Sequence, residues 1–143
     1  MSEVKPIENL DKATLKLVRM AMRTRKRAHA PYSKYRVGCA LLDDKGKIYT
    51  GCNVETANYS GTICAERTAL VKMVSRGGKR CRRMVIVTST DIPAFPCGEC
   101  LQMINELGRD STVFAVNVRG TIYRQASLAE LFPYAFSKEM LTP

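Results

Sequence analysis

Apolar residues recur at Leu10, Ala13, Leu17, Met20 and Ala21, a helical spacing that predicts an amphipathic helix from about Leu10 to His29. Asp11 stands near its start, and Pro31 closes it because the residue before a proline avoids the helical region. Ahead of this helix, residues 1–9 carry Pro6 and little periodicity, which reads as a flexible arm. From Tyr35 to Asp43 the pattern alternates, as in a strand buried on at least one face. Asp43-Asp44-Lys45-Gly46 supplies a hairpin turn, and Lys47 to Val54 returns as the second strand. Glu55 to Thr62 is a loop of small and polar residues.

The rest of the chain keeps switching period. A helix opening at Cys64 runs to about Ser75 and stops at Gly77-Gly78. Arg83 to Thr88 is continuous and β-branched, as expected of a central buried strand. A loop with Pro93 and Pro96 leads to a helix that ends at Gly108. Thr112 to Asn117 and Thr121 to Gln125 are two more strands, with Arg119-Gly120 between them. Ser127-Leu128-Ala129-Glu130 has the form of a capping box opening a short helix. The order α-β-β-α-β-α-β-β-α predicts an α/β fold, a three-layer α/β/α sandwich with helices on both faces of one five-stranded mixed sheet. Residues 10–143 then form a single domain.

Composition narrows the class. An apolar fraction of 45% and a charged fraction of 25% exclude a disordered chain. No apolar run approaches the roughly 18 residues that would span a bilayer, so no membrane association is expected. The first residues lack the basic-then-apolar order of a signal peptide. Six cysteines in that context point to a reducing, cytoplasmic setting, where thiols bind metal or pack. The net charge of +10 gathers at Lys12 to Arg27 and Arg76 to Arg83, where it would attract nucleic acid. A solvated basic surface is the plainer reading, because charge alone defines no groove and the chain has no Trp and no interleaved aromatics. Nucleic acid is therefore not the expected partner.

The chemistry lies in Cys64-Ala65-Glu66-Arg67 and Pro96-Cys97-Gly98-Glu99-Cys100. Three thiolates can hold one zinc ion and leave its fourth position open to water, the arrangement of a catalytic site. The single histidine, His29, sits far upstream and is no obvious fourth ligand. Glu66, two residues beyond Cys64 in the first turn of a helix, is placed to exchange protons with that water. Three thiolates give the zinc site a net charge of about −1, which weakens the pull on water. Two helix N-termini, one at Cys64 and one at Cys97, offset it. Cys-x-x-Cys alone is weak evidence and also occurs in redox motifs. Cys39, Cys52 and Cys81 read as packing or surface thiols.

The pattern resembles the zinc-dependent deaminases, whose signature is His/Cys-x-Glu followed by Pro-Cys-x-x-Cys. Pro31-Tyr32-Ser33-Lys34-Tyr35-Arg36-Val37-Gly38, Asn53-Val54-Glu55 and Leu131-Phe132-Pro133-Tyr134-Ala135-Phe136 are similar to segments of the small cytidine deaminases, and the resemblance covers nearly the whole chain. It implies a cytidine deaminase-like fold with one Zn²⁺ per subunit on Cys64, Cys97 and Cys100. It implies hydrolytic deamination of cytidine and 2′-deoxycytidine in pyrimidine salvage, with Glu66 as the catalytic proton shuttle. It further implies that Arg67 tunes the metal by donating to a zinc-bound sulfur, and that Asn53 and Glu55 bind the ribose hydroxyls. Tyr35 matches an aromatic lining the pyrimidine pocket, and Ala65 a position whose backbone contacts the base. Phe136 matches an aromatic that reaches into a neighbouring subunit's site, which implies a homotetramer with shared active sites. Phe95 and Leu101 depart from the family's Ser-Pro-Cys-Gly-x-Cys-Arg-Gln run, replacing a hydroxyl residue and an arginine.

Overall fold

The computed structural model describes residues 2–141; Met1, Thr142 and Pro143, the outer ends of the expected arm and domain, lie outside the described residues. In chain order the elements are β1 (Lys5–Pro6), α1 (Lys12–Arg25), β2 (Gly38–Asp43), β3 (Ile48–Cys52), α2 (Ala65–Ser75), β4 (Cys81–Val87), α3 (Gly98–Leu107), β5 (Thr112–Val116), β6 (Ile122–Ser127) and α4 (Leu128–Leu131). Short 3₁₀ turns cover Ile7–Asn9 and Lys138–Leu141.

The strands form one sheet in the order β1-β6-β5-β4-β2-β3. Only β4 and β5 run parallel, and α3 provides the crossover that a parallel pair requires. The period-two alternation of the central strands divides the core. Cys39, Leu41, Met84 and Ile86 face α2 and α3, packing with Ala65, Leu70 and Ile104. Their neighbours Ala40, Val85 and Val87 face α1, packing with Leu17, Val18 and Ala21. The three-layer α/β/α sandwich expected from the sequence is what the chain adopts.

The sheet has six strands, not five. Segment 2–9, read as a loose arm, lays Lys5–Pro6 antiparallel to Ile122–Tyr123, and the Ile7 N–H donates to the Thr121 carbonyl at 2.9 Å. A two-residue strand containing proline leaves no alternation to read. Helix α1 is also shorter than its apolar spacing suggested. Asp11 caps its start by accepting the Thr14 N–H at 2.9 Å. It ends at Arg25 rather than near Pro31, because the backbone of His29 pairs with Asn53 and Glu55, through His29 N–H to Asn53 O at 3.0 Å and Glu55 N–H to His29 O at 2.8 Å. A tertiary contact stops the helix before the proline can.

Two glycines let helices lie directly on strands. A Cβ on Gly38 would stand 2.6 Å from the Arg25 nitrogen, and one on Gly51 would stand 2.5 Å from the Ala69 nitrogen. The second approach sets α2 against β3, bringing Cys64 and Glu66 beside the end of that strand. The capping box expected at α4 is present, with Ser127 and Glu130 each accepting from the other's backbone. Among the described residues no helix is long and apolar enough to cross a membrane.

Candidate active site

The site sits where β2 begins and β3 and β4 end, against the first turns of α2 and α3. Cys64 is the N-cap of α2 and Cys97 the N-cap of α3, both with extended backbone, while Cys100 follows one turn into α3 and is buried. Two helix N-termini therefore converge on one point, as the spacing predicted. The Cys64 and Cys97 sulfurs are 3.9 Å apart, and those of Cys97 and Cys100 are 3.6 Å apart. All three lie within 4.8 Å of one another. A tetrahedral zinc site with 2.3 Å bonds has sulfurs separated by about 3.8 Å, so the triangle fits one ion. The group is the one cluster of this kind among the described residues.

The sulfurs share protons unequally. Hydrogen bonds from the thiols of Cys100 and Cys97, together with the Arg67 guanidinium, bring Cys64 down to about 5. Cys100 moves strongly upward, because it donates to Cys64 and is desolvated. Glu66 is 5% exposed, and burial lifts its carboxyl to about 7, with the adjacent Cys64 charge adding to the rise. A carboxyl poised near neutrality beside a metal-ligand cluster can both take and give a proton.

A cavity of about 230 Å³ opens onto these groups. Of the residues singled out from the sequence, Tyr35, Asn53, Cys64, Ala65, Glu66 and Cys97 line it. Asn53 is 8% exposed and braces the entrance, its Oδ1 accepting the Val37 N–H and its Nδ2 donating to the Tyr35 carbonyl, each at 2.8 Å. One amide hydrogen and one lone pair remain for a ligand. Glu55 is not in the lining. Its carboxylate accepts the backbone N–H groups of Tyr32 and Ser33 at 3.2 Å, and, against the cost of desolvation, the Ser33 side chain and these amides hold it below its ordinary value. Phe136 is also outside the lining; it is 52% exposed, and its carbonyl accepts from Gln102 at 2.8 Å. Arg67 lies behind the sulfurs, bonded to the Thr62 carbonyl at 2.9 Å and paired with Glu99 at 3.2 Å.

The cavity has walls that the sequence reading did not assign. Val37 stands just before β2, Ile86 and Thr88 at the end of β4, and Ala94 on the loop before α3, next to Phe95, which the sequence marked only as a departure beside the site. Thr88 was legible only as the end of a buried strand. Phe95 carried a signal, as an unusual neighbour for the cysteine pair. Glu99 gave none, because its partnership with Arg67 depends on how α2 and α3 pack.

Known proteins are similar to this chain over most of its length. The family described as the cytidine and deoxycytidylate deaminase zinc-binding region matches residues 11–116. The chain is 44% identical over 128 residues to a cytidine deaminase of Sporosarcina psychrophila, covering 89% of this chain and 93% of the relative. It is 36% identical over 114 residues to a cytidine deaminase of Mycobacterium tuberculosis, covering 80% and 82%. It superposes on the crystal structure of a cytidine deaminase from Burkholderia pseudomallei with a TM-score of 0.81 at 39% identity, covering 85% of this chain and 98% of that one. The matched stretch takes in all three sulfurs and Glu66, and with it the chain belongs to the cytidine and deoxycytidylate deaminase zinc-binding family.

Proposed function

We propose that the chain is a zinc-dependent cytidine deaminase, converting cytidine and 2′-deoxycytidine with water to uridine and 2′-deoxyuridine plus ammonia. The observation that carries this reading is the buried Glu66 carboxyl, raised to about 7, facing the same cavity as Cys64 and Cys97 of the three-sulfur cluster. Zinc held by Cys64, Cys97 and Cys100 would supply a water acidified to about pKa 7 in favourable sites. Glu66 is the residue placed to take a proton from a water attacking C4 and pass it to ring N3. Glu66 then carries the second proton to the 4-amino group, the C4–N bond breaks, and ammonia leaves with C4 as a carbonyl. Arg67 spreads positive charge behind the sulfurs and moderates the excess negative charge of three thiolates.

Substrate positioning falls to the cavity wall. Tyr35 lines the base pocket, and Ala65, in the first turn of α2, offers its backbone to the base. Asn53 presents its remaining amide hydrogen to the ribose. Glu55, on the loop after β3, reaches the sugar diol from beside the Tyr32 and Ser33 amides. Phe136, exposed on one chain, serves a second copy in a homotetramer with shared sites, which accords with its place outside its own cavity. We place the enzyme in cytoplasmic pyrimidine salvage, with nucleosides rather than nucleic acid as substrate.

The test is the ultraviolet change on adding purified protein to cytidine, with Glu66→Ala as the control. Conversion by the wild type alone establishes both the reaction and the shuttle. No conversion by protein that carries one zinc per chain overturns the proposal.

A further inference from the structure

Phe95 stands between two cavities. On one side it lines the site cavity with Cys97 and Glu66. On the other it lines a second cavity of about 350 Å³, with Ser2, Arg124, Ala126, Glu130 and Leu131. It is the one residue common to both linings among the described residues. The ring is half-buried and packs against the core on the α2 and α3 side of the sheet. The Arg124 guanidinium lies over it, 5.2 Å from its centroid. Arg124 is itself anchored, its Nε donating to the Ser2 carbonyl at 3.0 Å.

We propose that Phe95 is the partition that sets how large a pyrimidine this chain accepts, and that Arg124 is a positioning residue holding it closed. The inference rests on the deaminase reading given above. In that reaction C4 must face the sulfurs and N3 must face Glu66, which stands on the first turn of α2. The other neighbour of C4 is C5, and the wall left for it is the loop carrying Ala94, Phe95 and Cys97. A substituent at C5 therefore meets the Phe95 ring. Behind that ring the space is already open, so removing the ring joins two existing cavities without requiring the surroundings to retract. A hydroxyl residue at this position would leave the passage open; the phenyl ring fills it.

One methyl group in a pocket is worth about 10–200-fold in discrimination. The measurement is kcat/KM for cytidine and for 5-methylcytidine, taken on the zinc-loaded wild type, Phe95→Ala and Arg124→Gln. The wild type is expected to prefer cytidine by a factor within that range. Phe95→Ala should reduce the preference at least tenfold, with zinc content unchanged. Arg124→Gln should reduce it about threefold, since the ring stays but swings more freely. If Phe95→Ala fails to fold, Phe95→Leu is measured instead and should reduce the preference at least threefold. A ratio within twofold of wild type in the position-95 variant, while wild type turns over cytidine, overturns the partition alone. An unchanged ratio in Arg124→Gln overturns the role of Arg124. Absence of cytidine turnover in the zinc-loaded wild type overturns the deaminase reading and this inference together.

Discussion

The Arg67 guanidinium meets the Glu99 carboxylate at 3.2 Å, joining the first turn of α2 to the first turn of α3. Those are the two helices that supply the sulfurs, so the pair spans the cluster from behind. Arg67 is the more buried partner, 24% exposed against 75% for Glu99. The Cys64 sulfur helps to keep Arg67 charged, offsetting the cost of its burial. Replacing Arg67 by Ala should lower kcat about 10–100-fold, as loss of groups supporting metal ligands does, and should change KM less. Steady-state kinetics on cytidine check this; a raised KM at unchanged kcat would assign Arg67 to substrate instead. Glu99→Gln should cost under about 1 kcal/mol of stability, because an exposed partner contributes little.

Glu66 makes a separate prediction. Glu66→Gln keeps the shape and removes the exchangeable proton, so kcat should fall by about 10²–10⁴-fold with one zinc still bound per chain. Chelation of wild-type protein should abolish turnover and lower the melting temperature, since metal bound only by the folded chain stabilises it. Adding zinc back should restore activity to the wild type and not to Glu66→Gln. Metal analysis alongside the ultraviolet assay separates loss of the shuttle from loss of the ion.

Acid should weaken the start of α1. The Thr14 N–H, the Thr14 hydroxyl and Arg83 hold Asp11 below its ordinary 3.8, against a smaller cost of desolvation. A depressed carboxylate stabilises the fold above its unfolded value and loses that contribution as pH falls through the folded one. Asp11→Ala should therefore cost about 1 kcal/mol at pH 7 and less at pH 3. Urea denaturation at both values reads the difference. An equal penalty at both would mean that the carboxylate's charge adds nothing.

Gly51→Ala should damage the site from a distance. The added methyl would stand 2.5 Å from the Ala69 nitrogen and 2.9 Å from the Thr68 Cβ, so α2 must move away from β3. Overpacking of this kind costs about 1–3 kcal/mol. Because Cys64 caps α2, zinc affinity should fall together with the melting temperature; a variant that loses stability but binds zinc normally would separate the two.

The site was legible where its chemistry is local. Cys64 with Glu66, and Cys97 with Cys100, lie within the cap and first turn of one helix each, so the sequence placed them without knowledge of tertiary packing. The central strands were equally plain, since Met84 to Val87 must be apolar on both faces when helices cover both. What escaped depends on contacts between distant segments. The end of α1 is set by Asn53 and Glu55 rather than by Pro31. The bonds from the Tyr32 and Ser33 amides to the Glu55 carboxylate likewise join segments far apart in the chain. Lys5–Pro6 becomes a strand only because Ile122 and Tyr123 are there to receive it.

That last strand has a bearing on how copies of this chain can meet. At one margin of the sheet, β1 offers two residues, and Pro6 has no N–H with which to recruit another chain. A margin so short and so poor in donors resists lengthening by a foreign strand, and so guards against the edge-to-edge stacking that ends in aggregation. Association through side chains remains open. Val71 and Val74 on the outer face of α2, 47% and 48% exposed, and Tyr134 beyond α4, 96% exposed, are available for it.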